Sequence, residues 1–115
     1  MSYQSLQVYQ RAHAFGVACR KLSMDLPKFE LFESGSQLRR AAKSVSANIV
    51  EGYGRREYEA EYHRFLVIAL ASNDEAAEWL RYLTDCHPEK AAAIEPLLRE
   101  NQEIGRMLNG LISSL

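Results

Sequence analysis

Apolar residues recur along this chain in alternating steps of four and three, the spacing that returns side chains to one face of an α-helix. The first such stripe is Val8, Ala12, Phe15, Cys19, Leu22 and Leu26. Ser5 precedes it as an N-cap candidate, and Pro27 closes it, because proline disfavours the α conformation in the residue before it. A second stripe, Leu38, Ala42, Val45, Ile49 and Gly52, follows Ser34-Gly35-Ser36-Gln37, which reads as a capping box. Gly52 and Gly54 flank Tyr53 and predict the stop, since glycine takes left-handed geometry at little cost. The longest segment is predicted over 57–84, with the stripe Tyr58, Tyr62, Phe65, Ala69, Ser72, Ala76, Trp79 and Leu83. A second row, Leu66, Ile68, Leu70 and Leu80, widens its apolar face, and Glu57, Glu59 and Glu61 suit the positive end of its dipole. His87-Pro88 breaks the pattern. A fourth helix has a candidate start at Ala91-Ala92-Ala93 and a firmer one at Pro96, a first-turn position that proline tolerates. Its stripe is Leu97, Asn101, Ile104, Leu108, Leu111 and Leu115.

No strand-like alternation of useful length interrupts these segments, so the fold class is all-α. Short connections between long amphipathic helices imply antiparallel neighbours, hence an up-down-up-down four-helix bundle formed by residues 1–115 as a single domain. A three-helix or dimeric arrangement also satisfies the pattern. At 115 residues, with 47% hydrophobic and 25% charged residues, the chain has the profile of one globular domain that needs no metal or disulfide to hold a core. Its formal net charge of −1 removes any global attraction to nucleic acid or acidic lipid, so a polyanion contact would have to come from a local cluster. Cys19 and Cys86 show neither C-x-x-C nor metal-ligand spacing, and Cys19 on its stripe acts as a small hydrophobe. The start of the chain lacks a signal-peptide pattern and no apolar run reaches about 18 residues, so no membrane role is expected and the default location is the cytoplasm.

Candidate chemistry concentrates around the second helix. Ser44, Asn48, Glu51 and Arg55 fall at i, i+4, i+7 and i+11, beside the apolar stripe, with Gly52 adjoining. Polar groups at such a border must find partners. Ser44, Asn48, Glu51 and Gly52 are therefore expected to form a structural polar network, with a ligand site as the alternative. If the network is structural, Asn48→Ala should cost roughly 1–3 kcal/mol. Arg39, Arg40 and Lys43 near the start of the helix and Arg55 and Arg56 at its end, with Arg64 beyond, form a local basic group. That face is a candidate nucleic-acid contact through phosphates, or else a solvated face paired with neighbouring carboxylates. Tyr53, Tyr58, Tyr62 and Phe65 fit a core or subunit interface, and alternatively a base-stacking platform. His13, His63 and His87 lie on separate segments without metal-ligand spacing, and the Gly52-x-Gly54 pair follows a helix rather than a strand. No catalytic, cofactor-binding or metal-ligating set emerges.

The run Gln37-Leu38-Arg39-Arg40-Ala41-Ala42-Lys43-Ser44-Val45-Ser46-Ala47-Asn48-Ile49-Val50-Glu51-Gly52, then Arg55-Arg56, resembles a bacterial family usually called four-helix bundle proteins. The founding members of that family are encoded in intervening sequences of 23S ribosomal RNA genes. The likeness continues in Arg64-Phe65-Leu66-Val67-Ile68-Ala69-Leu70-Ala71-Ser72 and Glu75, whereas the first and fourth helices match by pattern alone. The resemblance implies an up-down-up-down bundle, a homopentameric ring, and no assigned enzymatic activity. A distant branch, the accessory proteins of diversity-generating retroelements, looks like a basic pentamer that binds a reverse transcriptase and nucleic acid. This chain departs from that branch in its near-neutral charge. The expectation is therefore a non-catalytic homo-oligomeric scaffold or interaction module for a protein or RNA partner, with direct RNA or DNA binding through the basic face as the alternative. Surplus apolar surface at Leu66, Leu80, Met107 and Ile112 is expected to favour association.

Overall fold

A computed structural model describes residues 2–115 and contains four long helices: α1 (Gln7–Met24), α2 (Ser34–Gly54), α3 (Glu59–Cys86) and α4 (Ala91–Ser113). Three short 3-10 turns, Tyr3–Ser5, Lys28–Leu31 and Pro88–Lys90, precede α1, α2 and α4. Each helix packs on the next, and α1 packs on α4 to close the ring. The result is an antiparallel four-helix bundle measuring 45 × 22 × 20 Å, and no strand occurs among the described residues.

The α1 and α2 stripes run down the bundle axis: Ala12, Phe15, Cys19, Leu38, Ala42, Val45 and Ile49 are all essentially inaccessible. In α3 the buried row is Tyr62, Leu66, Ala69, Asn73, Ala76, Leu80 and Leu83, so the predicted stripe was half right. Phe65, Ser72 and Trp79 sit at the border and Tyr58 lies in solvent, while Leu66 and Leu80 occupy the core. The surplus apolar surface assigned to Leu66 and Leu80 therefore does not exist, because the bundle consumes it.

Helix ends differ from the expected signals in four places. Ser5 belongs to the 3-10 turn, whose own cap is Ser2, and α1 begins at Gln7 without a side-chain cap. Ser34 and Gln37 form no capping box. Instead the Ser34 backbone N–H donates to Oε1 of Glu30 at 3.0 Å, so a carboxylate from the preceding turn caps α2. No described glycine has a positive φ, and α2 runs through Gly52 to Gly54, so neither glycine ends it by left-handed geometry. Helix α4 starts at Ala91 rather than Pro96, and Pro96 lies inside it. The proline removes the hydrogen bond to the Ala92 carbonyl, but Ala92 and Pro96 are both exposed, so water can take the vacated acceptor. Ile94, fully buried between them, anchors the extra turn.

Candidate functional site

The border positions of α2 separate into an inner and an outer group. Ser44 Oγ shares a 2.9 Å hydrogen bond with Ser72 Oγ of α3, and Asn48 Nδ2 donates to the Ser44 carbonyl at 2.8 Å and to its hydroxyl at 2.9 Å. These three half-buried residues bridge α2 and α3. Glu51 is not among them. It is exposed and pairs with Arg55, whose guanidinium also reaches Glu61, which in turn pairs with Arg64. Gly52 contributes space rather than polarity: a Cβ there would lie 3.0 Å from Phe65 Cβ and 3.3 Å from Tyr62 Cδ1, so the bare backbone lets α2 and α3 close. Asn48 is only half-buried, so Asn48→Ala is expected at the low end of its range, a loss of about 1 kcal/mol. Thermal or urea unfolding of that variant measures it.

The basic residues also divide. Arg39 is held by Nη1 on Ser23 Oγ at 3.0 Å and Nη2 on the Leu31 carbonyl at 2.6 Å, which ties α2 to the end of α1 and the following turn. Arg40 and Lys43 are exposed and form no salt bridge among the described residues. Together with Arg39 they line a groove of about 300 Å³ between α1 and α2. Arg55 and Arg56 follow the end of α2, with Arg55 twelve residues beyond Lys43, about 18 Å away at helical rise. There Arg55 and Arg64 cover the Phe65 ring at 4.9 and 4.6 Å, and Arg56 covers Tyr53 at 4.0 Å. The five predicted contacts therefore do not form one patch. The aromatic group divides as well, with Tyr62 buried and edge-on to Tyr53 while Tyr58 is exposed.

Two polar pairs carry no signal of their pairing in the sequence, although Asn101 lies on the fourth apolar stripe. Glu30, only 3% exposed, faces Nε2 of the buried His87 at 2.8 Å, joining the α1–α2 turn to the end of α3. Asn73 and Asn101 exchange hydrogen bonds, each side-chain amide donating to the other's backbone carbonyl at 2.9 and 2.7 Å, and so lock α3 to α4. Polar residues that far apart in sequence announce their pairing only through tertiary structure. Cys19 and Cys86 are both free, and burial pushes the Cys19 thiol up to about 12, which keeps it protonated. Among the described residues no group of three or more His, Cys, Asp or Glu side chains is placed to hold a metal ion. No described helix is long and apolar enough to cross a membrane.

Fold and site together define a helical bundle with an apolar core, in which a few polar pairs join helices and nothing indicates catalysis. The family model described as 23S rRNA-intervening sequence protein matches residues 4–110, and the chain belongs to that family. A solved structure from the S23 ribosomal protein family of Bacteroides thetaiotaomicron, a protein of unknown function, is 25% identical. It superposes with a TM-score of 0.78, covering 91% of this chain and 97% of that one. Comparison with curated proteins returns no match.

Proposed function

We propose that the chain is a non-catalytic cytoplasmic module that assembles with copies of itself, as a pentameric ring, to present surfaces to a macromolecular partner. The observation that carries this reading is a group of exposed apolar side chains at one end of the bundle. Phe32 is 88% exposed and Phe29 60%, and both flank Glu30 in the turn before α2. Tyr82 near the end of α3 is exposed too, and stacks edge-on against Trp79. The Phe29 ring lies 6.1 Å from the His87 ring, which puts that turn beside the end of α3. A clustered apolar surface of this kind favours association. The ring itself is what the resemblance to known four-helix bundle proteins suggests. Sedimentation equilibrium should find an oligomer at micromolar concentration, and Phe29→Ser with Phe32→Ser should shift it to smaller species without loss of helicity. A wild-type monomer under those conditions sinks the proposal.

A second reading, contact with nucleic acid through Arg39, Arg40, Lys43, Arg55 and Arg56, is favoured by a different observation. Arg40 and Lys43 sit exposed on a groove with no carboxylate in its lining, whereas Arg55 is already paired.

A further inference from the structure

We infer that the groove between α1 and α2 is a binding site for a phosphate ester carried on an apolar or planar body. This deepens the second reading above and rests on it, by naming the place and the group recognised. The cationic lining comes from both helices: Arg20 from α1, and Arg39, Arg40 and Lys43 from α2, with His13 also in the lining. No aspartate or glutamate lines it. Elsewhere Arg11, Arg55, Arg64, Arg99 and Arg106 each form salt bridges with glutamates, whereas Lys21, Lys28, Arg56, Arg81 and Lys90 are scattered cations with no such bridge among the described residues. None of the groove's cations forms one among the described residues, so positive potential gathers there in a chain whose net charge is −1.

The asymmetry is written along the helices. Helices α1 and α2 carry Arg11, Arg20, Lys21, Arg39, Arg40 and Lys43 against the one carboxylate Glu51. Helix α3 carries an excess of acids, so an anion approaching the bundle is steered toward the α1–α2 side.

Geometry narrows the ligand further. Arg39 is pinned by Ser23 and the Leu31 carbonyl, so one guanidinium is ordered before anything binds, while Arg40 and Lys43 are free to close over an anion. Ordering a cation in advance lowers the entropic cost of binding. Guanidinium groups match phosphate oxygens in fork geometry, and the Ser36 hydroxyl in the lining adds a neutral donor. Gly16 and Val17 also line the groove, the latter 43% exposed, and give an uncharged surface for the body of the ligand. A volume of about 300 Å³ suits one nucleotide-sized group. The source of such a group is either a free mononucleotide or one nucleotide of a nucleic-acid strand.

Titration calorimetry on the full chain tests this with AMP, inorganic phosphate and a short 5′-phosphorylated oligonucleotide, at low and at physiological salt. Binding of AMP or the oligonucleotide should weaken with salt, exceed that of inorganic phosphate, and fall about tenfold or more in Arg40→Ala with Lys43→Ala. These two residues are exposed, so the variant keeps its fold, and circular dichroism verifies that. AMP binding marks a small-molecule source, and binding of the oligonucleotide alone marks a strand. If the oligonucleotide binds equally well to the double variant but is lost from Arg55→Ala with Arg56→Ala, the groove assignment fails and nucleic-acid contact survives at the other end. No binding of any probe by the wild type overturns both.

Discussion

Replacing His87 by alanine is expected to destabilise the bundle by about 3–5 kcal/mol, the range for breaking a buried polar or ionic pair by removing one partner. Glu30 is the reason. Its carboxylate is withdrawn from water and has two dependants, the Ser34 N–H at the start of α2 and the His87 ring at the end of α3. Without the imidazole, one carboxylate oxygen stays buried facing nothing that can donate. The backbone bonds of this residue survive the substitution, His87 N–H to the Leu83 carbonyl and Lys90 N–H to the His87 carbonyl, each at 2.8 Å, so the loss reads the side chain. Urea unfolding of His87→Leu, Glu30→Leu and the combined Glu30→Leu/His87→Leu variant, alongside His87→Ala, separates the terms. The double replacement should recover much of the loss, because an apolar pair strands no charge. A His87→Ala protein within about 1 kcal/mol of the parent would show that the pair is incidental.

Gly35→Ala is expected to cost about 3 kcal/mol, at the upper end for forced overpacking. A Cβ at this position would overlap the Glu30 carbonyl oxygen and stand 3.2 Å from its carbonyl carbon. The obstacle is backbone, which cannot rotate away as a side-chain tip would. Relief requires the Lys28–Leu31 turn to lift from α2, and that movement withdraws Glu30 from His87. The control is Gly54→Ala, where a Cβ would meet nothing within 4 Å and should be neutral or slightly stabilising. Equal unfolding midpoints for the Gly35→Ala protein and its parent would refute the clash.

These two residues mark where sequence reading stops being informative. Helices α1 and α2 were legible because one row of each is both apolar and buried, from Val8 to Leu26 and from Leu38 to Gly52. In α3 two rows compete. Tyr62, Ala69, Ala76 and Leu83 belong to either, and the aromatic Phe65 and Trp79 pull the choice away from Leu66, Asn73 and Leu80, which the structure buries. Asn73 hides the true row because an amide in a core looks like an error until its partner is known. The polar residues of α2 were located by their spacing, yet spacing could not tell that Glu51 turns outward or that Arg39 is occupied internally. Arg20 and His13 were invisible as neighbours of Arg40 and Lys43 because helix–helix adjacency, rather than periodicity along one helix, brings them together.

The crossed amides of Asn73 and Asn101 have a consequence for how the last two helices find each other. Leucine rows can slide past one another by a turn, about 5.4 Å, and still meet grease. Two carboxamides that each clasp the opposite main chain cannot, because a slipped alignment would leave both in hydrocarbon with no mate. The pair therefore acts as a vernier, admitting one longitudinal setting of α4 against α3 and rejecting the others.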